Sequence, residues 1–311
     1  MPRNNQGTCA VLHRQDFIND EHVEAFCEEV AAAITTPQSS RLHARVFPHQ
    51  YFDRDHGHTR TFSKFDDALT QYNWDGQTFV QTEVKLRDLA EKLRKAGEAA
   101  DTNQNTLSTL VACFNVLDWG GGGALRSSNV DWLVKNIVPG SPLGDLLRDA
   151  VGALGDGNRN RDANLSGFRR DTYRSNAGFT KIYSLLSENT FVIYDSRVAA
   201  ALGMLIANWC AETGRSEVPD HLRLHWMPAK EGPNADTKVR DPSLEMFRFP
   251  KLTGTTVNFN HAASNVRANW IVELVLEKIA KETSWTARKI EAALFMIGYD
   301  LGESDKQAVN A

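Results

Sequence analysis

The sequence predicts a mainly α protein of two lobes. Its length, 311 residues, matches two domains at roughly 150 residues each, or one large bilobed one. Apolar residues recur at i, i+3, i+4 and i+7 along most of the chain, which is the period of an amphipathic helix. Strand signals are few: Thr190–Tyr194 (TFVIY) is the clearest, and it reads equally as an extended link. With 41% hydrophobic and 24% charged residues, the composition is globular and excludes a fibre or a disordered tail.

The elements follow in order. Val23, Phe26, Cys27, Val30 and Ile34 mark a helix with Asn19 or Asp20 as its N-cap. Leu86, Leu89, Ala90 and Leu93 mark a second, and Val198, Leu202, Leu205, Ile206 and Trp209 a third. Ile271, Leu274, Val275 and Ile279 form another, followed by Ile290, Ala293, Leu294 and Ile297 with Gly298 as the stop. Asp118-Trp119-Gly120-Gly121-Gly122-Gly123 reads as a loop interrupting a helical stretch, without the lysine and spacing of a phosphate-binding loop. Trp226–Gly254 has no period and reads as a long loop.

The longest apolar run, Val198–Trp209, falls short of a membrane span and is broken by Asn208. The opening MPRNNQGTCA lacks a basic-then-apolar leader pattern, so the expectation is a cytoplasmic protein with no membrane partner. Cys9, Cys27, Cys113 and Cys210 are scattered and read as reduced, mostly buried thiols. His56 and His58, with Asp53 and Asp55, could form a metal cluster, but a polar surface loop is the better reading; no metal and no cofactor are expected.

Net charge is -4, which argues mildly against a dedicated nucleic-acid binder. The charge is uneven. Asn158–Lys181 holds six basic residues (Arg159, Arg161, Arg169, Arg170, Arg174, Lys181) against Asp162 and Asp171, a local +4 that leaves -8 for the rest. Within it, Leu165–Arg174 reads as a short basic helix, Ser175-Asn176-Ala177-Gly178 as a turn with Gly178 free to take positive φ, and Phe179–Leu186 as a second helix. Such a turn would offer unpaired helix amides to a phosphate. Asp195 opens the next helix. A carboxylate held there can stabilise a developing cation, such as the oxocarbenium-like sugar of a breaking glycosidic bond.

This order of hairpin, helix, extended link, aspartate and apolar helix resembles the helix-hairpin-helix DNA glycosylases, and within them the 8-oxoguanine-glycosylase-like branch. Val192-Ile193-Tyr194-Asp195-Ser196-Arg197-Val198 is similar to the family's V-x-D-x-H link, and Thr109–Trp119 resembles the helix leading to its minor-groove wedge. The good resemblance covers about a third of the chain. The usual L-P-G-V-G hairpin is absent apart from Gly178, and so is the four-cysteine iron–sulfur loop of some relatives.

The resemblance implies a two-lobed fold with an active-site cleft between the lobes: 105–194 as the lobe with wedge and hairpin, 1–104 and 195–311 as the other. Asp195 would be catalytic rather than a mere cap. Arg169, Arg170, Asn176, Gly178, Thr180, Lys181 and Arg197 would touch DNA, with a solvated helix face as the plain alternative for Arg169 and Arg170. Asp118 and Trp119 would supply the wedge, unless Trp119 is a core residue, and Tyr194 and Trp270 would wall the base pocket. His261, Asn265 and Arg267 are read as capping and surface residues.

Lyase-active relatives carry a lysine about 18 residues before the aspartate that forms a Schiff base. Lys181 stands 14 residues before Asp195, about one helical turn short, so it is expected as a phosphate contact and the enzyme as monofunctional. The expected reaction is flipping of a modified base out of double-stranded DNA and hydrolysis of its N-glycosidic bond by a monomer. The chain also resembles bacterial glycosylases that act in phage defence, which points to glucosylated hydroxymethylcytosine as the specific substrate. The alternatives are an oxidised-purine repair glycosylase with lyase activity, and a non-catalytic helix-hairpin-helix DNA-binding protein.

Overall fold

The computed structural model describes residues 10–123, 125–155, 161–187, 191–229, 238–279 and 283–302. Arg159 of the basic segment, Thr190 of the link and Cys9 lie outside these residues, as do 230–237 of the long loop.

Helices dominate, as the periodicity predicts. The N-terminal part runs α1 (Arg14–Ile18), α2 (Glu21–Thr35), α3 (Arg41–Val46) and α4 (Phe65–Thr70). Next come α5 (Phe79–Gly97), α6 (Thr102–Gly120), α7 (Ser127–Lys135), α8 (Leu143–Ala153), α9 (Ser166–Arg169) and α10 (Ala177–Leu186). The chain closes with α11 (Ser196–Glu212), α12 (Val257–Lys278) and α13 (Ala287–Ile297). Caps explain many of the starts. Asp20 accepts the amides of His22 and Val23 to open α2, and Thr286 accepts that of Lys289 to open α13.

Two small antiparallel pairs complete the described residues. β1 (Val11–Leu12) pairs with β4 (Ala163–Asn164), and β2 (His49–Asp53) with β3 (His58–Phe62), His49 opposite Phe62. Phe191–Tyr194 is extended and unpaired, so it is a link and not a strand.

Packing sorts the helices into two groups. α5 lies on α6, α8 and α10, whereas α11 lies on α13, α3 and α2, and α12 on α2 and α13. α5 thus packs with helices on the far side of the boundary expected at residue 105. α11 is buried on nearly every face from Val198 to Cys210, which makes it the central helix, apolar all round. One apolar core runs through both groups. No helix among the described residues is long and apolar enough to cross a membrane. Cys27, Cys113 and Cys210 are buried free thiols.

Two expectations for this part of the chain change. α6 continues through Asp118, Trp119 and Gly120, so the glycine loop starts at Gly121. The basic helix expected over Leu165–Arg174 is one turn long, ending at Arg169, because Arg170 caps it and Asp171 takes φ +57°.

Candidate active site

The site is built around the link Phe191–Tyr194, whose backbone is held by side chains in place of a partner strand. Asn269 Oδ1 accepts the Val192 amide at 2.6 Å, and Asn265 Nδ2 donates to the Val192 carbonyl at 3.1 Å. Glu291 accepts the Ile193 amide at 2.6 Å, and Ser184 Oγ donates to the Phe191 carbonyl at 2.6 Å. These bonds satisfy backbone groups that burial would otherwise leave unpaired. They also fix where Asp195 emerges.

Asp195 is the N-cap of α11. Its Oδ1 accepts the amides of Arg197 at 2.9 Å and Val198 at 3.0 Å. A close approach completes the setting. A Cβ added to Gly298, just past α13, would lie 1.9 Å from the Arg197 carbonyl oxygen. Gly298 therefore does more than stop a helix: only a bare α-carbon lets the end of α13 abut the start of α11.

Asp195 opens onto a narrow slot walled by Tyr72, Trp74, Phe79, Trp119 and Phe295, with Lys181, Arg288 and Glu291 among its polar groups. Its cavity volume is about 30 Å³, room for roughly two waters. The Trp74 indole N–H donates to the Trp119 carbonyl at 3.2 Å, whereas the buried Trp119 indole N–H has no partner among the described residues. That leaves a donor in the slot wall for an incoming acceptor.

Lys181 is not on the surface. It is 8% exposed, reaches into the slot, and donates from Nζ to the Ala177 carbonyl at 3.0 Å. The expectation of a surface phosphate contact fails because α10 turns this face inward, over the end of α6. Burial lowers the Lys181 ammonium pKa, opposed by the charge of Asp195.

The Arg288–Glu291 pair was missed from sequence. Arg288 donates to both Glu291 oxygens at 2.7 and 2.8 Å, and from its other nitrogen to Ser184 Oγ at 2.7 Å. Burial raises the Glu291 pKa, with Arg288 opposing. Both charges lie on the buried face of α13. Two opposite charges three residues apart on the apolar side of a predicted helix were the available signal.

The hairpin differs from its expected form. Asn176 caps α10, and its Oδ1 accepts the amides of Gly178 and Phe179, so these amides are not free for a phosphate. Gly178 has no positive φ; a Cβ there would sit 2.5 Å from Asn129 Nδ2 and 2.9 Å from a Leu117 methyl, so the residue serves close packing. Thr180 is fully buried and its hydroxyl bonds the Ala177 and Tyr194 carbonyls, which removes it from any DNA-facing surface. Asn258 Oδ1 accepts the Ser175 amide, and its Nδ2 donates to the Phe168 and Tyr173 carbonyls.

Arg169 and Arg170 are exposed, Arg169 lying 4.6 Å over the Phe259 ring. Asp118 is exposed at the end of α6, while Trp119 turns into the slot. Arg197 lies over the rings of Phe295, Tyr299 and Trp74 at 4.1, 4.7 and 5.5 Å; such a stack fixes a guanidinium while leaving its in-plane donors usable.

Two expected pocket walls lie elsewhere. Tyr194 is fully buried, its hydroxyl donating to the His225 carbonyl and its ring edge-on to His261. Trp270 packs on Phe17, 5.2 Å between ring centres. Asn265 and His261 are buried inside α12 and are neither caps nor surface residues; Arg267 is partly buried on the same helix.

In the β2–β3 hairpin, Asp53 accepts from Arg60 Nε at 2.6 Å and His56 Nδ1 at 2.9 Å. No group of three or more metal-ligating residues occurs among the described residues. Comparison with protein-family models, curated proteins and solved structures finds no match to this chain.

Proposed function

We propose that this chain is a DNA glycosylase acting on a modified base flipped out of double-stranded DNA. The observation that carries the reading is the sharing of one aromatic-walled slot by Asp195 and Lys181. A carboxylate fixed by two helix amides suits stabilisation of a sugar cation, and indole and phenyl rings in the slot wall suit a planar base. The unpartnered Trp119 indole N–H would donate to the base, and the exposed Arg169 and Arg170 would meet the phosphate backbone. At about 30 Å³ the slot has to widen to take a base.

In the hydrolytic course, the bond between the sugar C1′ and the base nitrogen breaks with its electron pair leaving on the base. Asp195 steadies the resulting cation, and a water adds to C1′ and gives up a proton. The products are a free base and an abasic site. The burial of Lys181 in the same slot favours a second course. Its uncharged amine would attack C1′, the base would leave with the electron pair, and the imine that follows ring opening would permit strand cleavage. The lowered Lys181 pKa supports that course by raising the share of free amine. Glucosylated hydroxymethylcytosine of phage DNA is the proposed substrate, and antiviral defence the proposed role.

Incubating the protein with phage genomic DNAs that carry different natural modifications, and identifying released bases by mass spectrometry, tests both class and substrate. A released base that disappears with Asp195→Asn is the expected result. Borohydride trapping of a covalent protein–DNA adduct separates the two courses. Binding without release of any base from the whole set would reject the enzyme reading in favour of a non-catalytic DNA binder.

A further inference from the structure

A second, larger cavity of about 340 Å³ adjoins the slot, within the ~300–1,000 Å³ range of small-molecule sites. Trp74 lines both spaces, and Arg197, two residues after Asp195, lines the larger one. We infer that this cavity is a subsite for a polyhydroxylated, sugar-like substituent carried on the excised base, an inference that rests on the glycosylase reading.

The chemistry of the wall decides the ligand class. Asp53 is engaged by Arg60 and His56, and Asp55 by the Tyr299 hydroxyl at 2.5 Å and Lys238 at 3.2 Å. These two carboxylates thus have cationic partners, which disfavours a bound cation between them. A free anion is disfavoured by three carboxylates, Asp53, Asp55 and Asp75, in one wall. An apolar group would strand this polar lining. Hydroxyl groups fit, because each both donates and accepts. The Asp55 and Asp75 carboxylates accept, Asp53 being buried and fully engaged; the Arg197 guanidinium, which has no hydrogen-bond or ion-pair partner among the described residues, donates. Trp74 supplies an aromatic face at the passage from slot to cavity. A base seated against Trp74 and Trp119 would send its substituent past the Trp74 edge into this space.

The test has two arms. In the first, the full chain is titrated with methyl α- and β-glucopyranoside and followed by ligand-detected NMR and indole fluorescence. Saturable binding by one anomer is expected, weakened at least tenfold in Asp55→Asn and in Asn73→Leu, Asn73 being a further polar residue of the cavity wall. Asp55→Asn keeps the shape of the wall, so it serves if the leucine variant folds poorly. No saturable response, or one that both folded variants leave unchanged, overturns the subsite. In the second arm, base release is compared on duplexes carrying 5-hydroxymethylcytosine with and without glucose, and the variants should narrow the preference for the glucosylated duplex at least tenfold. Sugar binding without release of either base would uphold the subsite and sink the glycosylase reading. Equal release of both bases without sugar binding would do the reverse.

Discussion

The aliphatic chain of Lys181 lies directly across the backbone of Gly120. A Cβ added to Gly120 would stand 2.2 Å from Lys181 Cδ and 2.6 Å from Cε. The bare last residue of α6 is what admits the lysine to the slot. Gly120→Ala should push the flexible end of Lys181 aside without unfolding the chain, since alanine in a helix gains about 0.5–1 kcal/mol over glycine. Covalent trapping with borohydride should fall at least tenfold while the melting temperature holds or rises. Undiminished trapping would show that Lys181 is not the nucleophile.

Asp195 can be tested as a cap and as a catalyst separately. Asparagine caps a helix about as well as aspartate, whereas alanine costs about 1 kcal/mol. Asp195→Asn should therefore match the parent in urea denaturation and lose base release by a factor of 100 or more, whereas Asp195→Ala should lose both. If Asp195→Asn keeps full activity on a confirmed substrate, the residue is structural.

Gly298 should behave unlike Gly120. The atom its Cβ would meet is the Arg197 backbone oxygen, at 1.9 Å, and backbone cannot swing away. Gly298→Ala should cost about 1–3 kcal/mol through overpacking and shift the first turn of α11. Chemical denaturation measures the first effect. The amide NMR shifts of Arg197 and Val198, which report the Asp195 cap, measure the second.

The Arg288–Glu291 pair predicts a pattern in a mutant cycle. Arg288→Met strands a buried carboxylate and should destabilise by about 3–5 kcal/mol. The double variant Arg288→Met with Glu291→Gln removes the stranded charge while keeping an acceptor for the Ile193 amide. It should recover a substantial part of that loss in equilibrium unfolding. A double variant as unstable as the single would mean that the carboxylate itself is not the cost.

Two histidines, His261 buried and His225 half-buried, set an acid limit. Burial pulls His225 down to about 4 and His261 down to about 3, the latter beside Ser175 Oγ at 2.9 Å. Unfolded, both bind a proton below about pH 6.5. Between pH 6.5 and 3 the unfolded chain therefore holds more protons, and stability falls as pH drops through that window. Above it these groups give no pH dependence. His261 alone can account for a loss on the order of 5 kcal/mol when the window is fully crossed. Unfolding free energies at pH 7, 6, 5 and 4 should show the decline, and His261→Gln should flatten it.

Much of this was legible in the sequence where the cause is local. The helix period located α2, α5, α11 and α13, and Asp195 could be read as the first residue before an apolar helix. What escaped was set by packing between distant segments. The 14 residues from Lys181 to Asp195 look one turn short when counted along the chain, yet both side chains reach one slot because the link folds back on α10, where the Thr180 hydroxyl bonds the Tyr194 carbonyl. Gly178 in a turn suggests torsional freedom, yet it serves contact with α6 and α7, a relation that no local window contains. Asn258, His261, Asn265 and Asn269 recur at helical spacing on α12 and clamp the hairpin and link. That polar stripe was visible, but its meaning depended on knowing which backbone lay opposite.

Trp74 stands as a wall common to the slot and the larger cavity, tethered through its indole N–H to the Trp119 carbonyl. The two volumes are therefore not independent variables: a rotation of one side-chain torsion that enlarges one space encroaches on the other. On the proposed glycosylase reading, substrate range would be coupled to a single rotamer, and substitution at residue 74 alone should trade one class of adduct for another without rebuilding either group of helices.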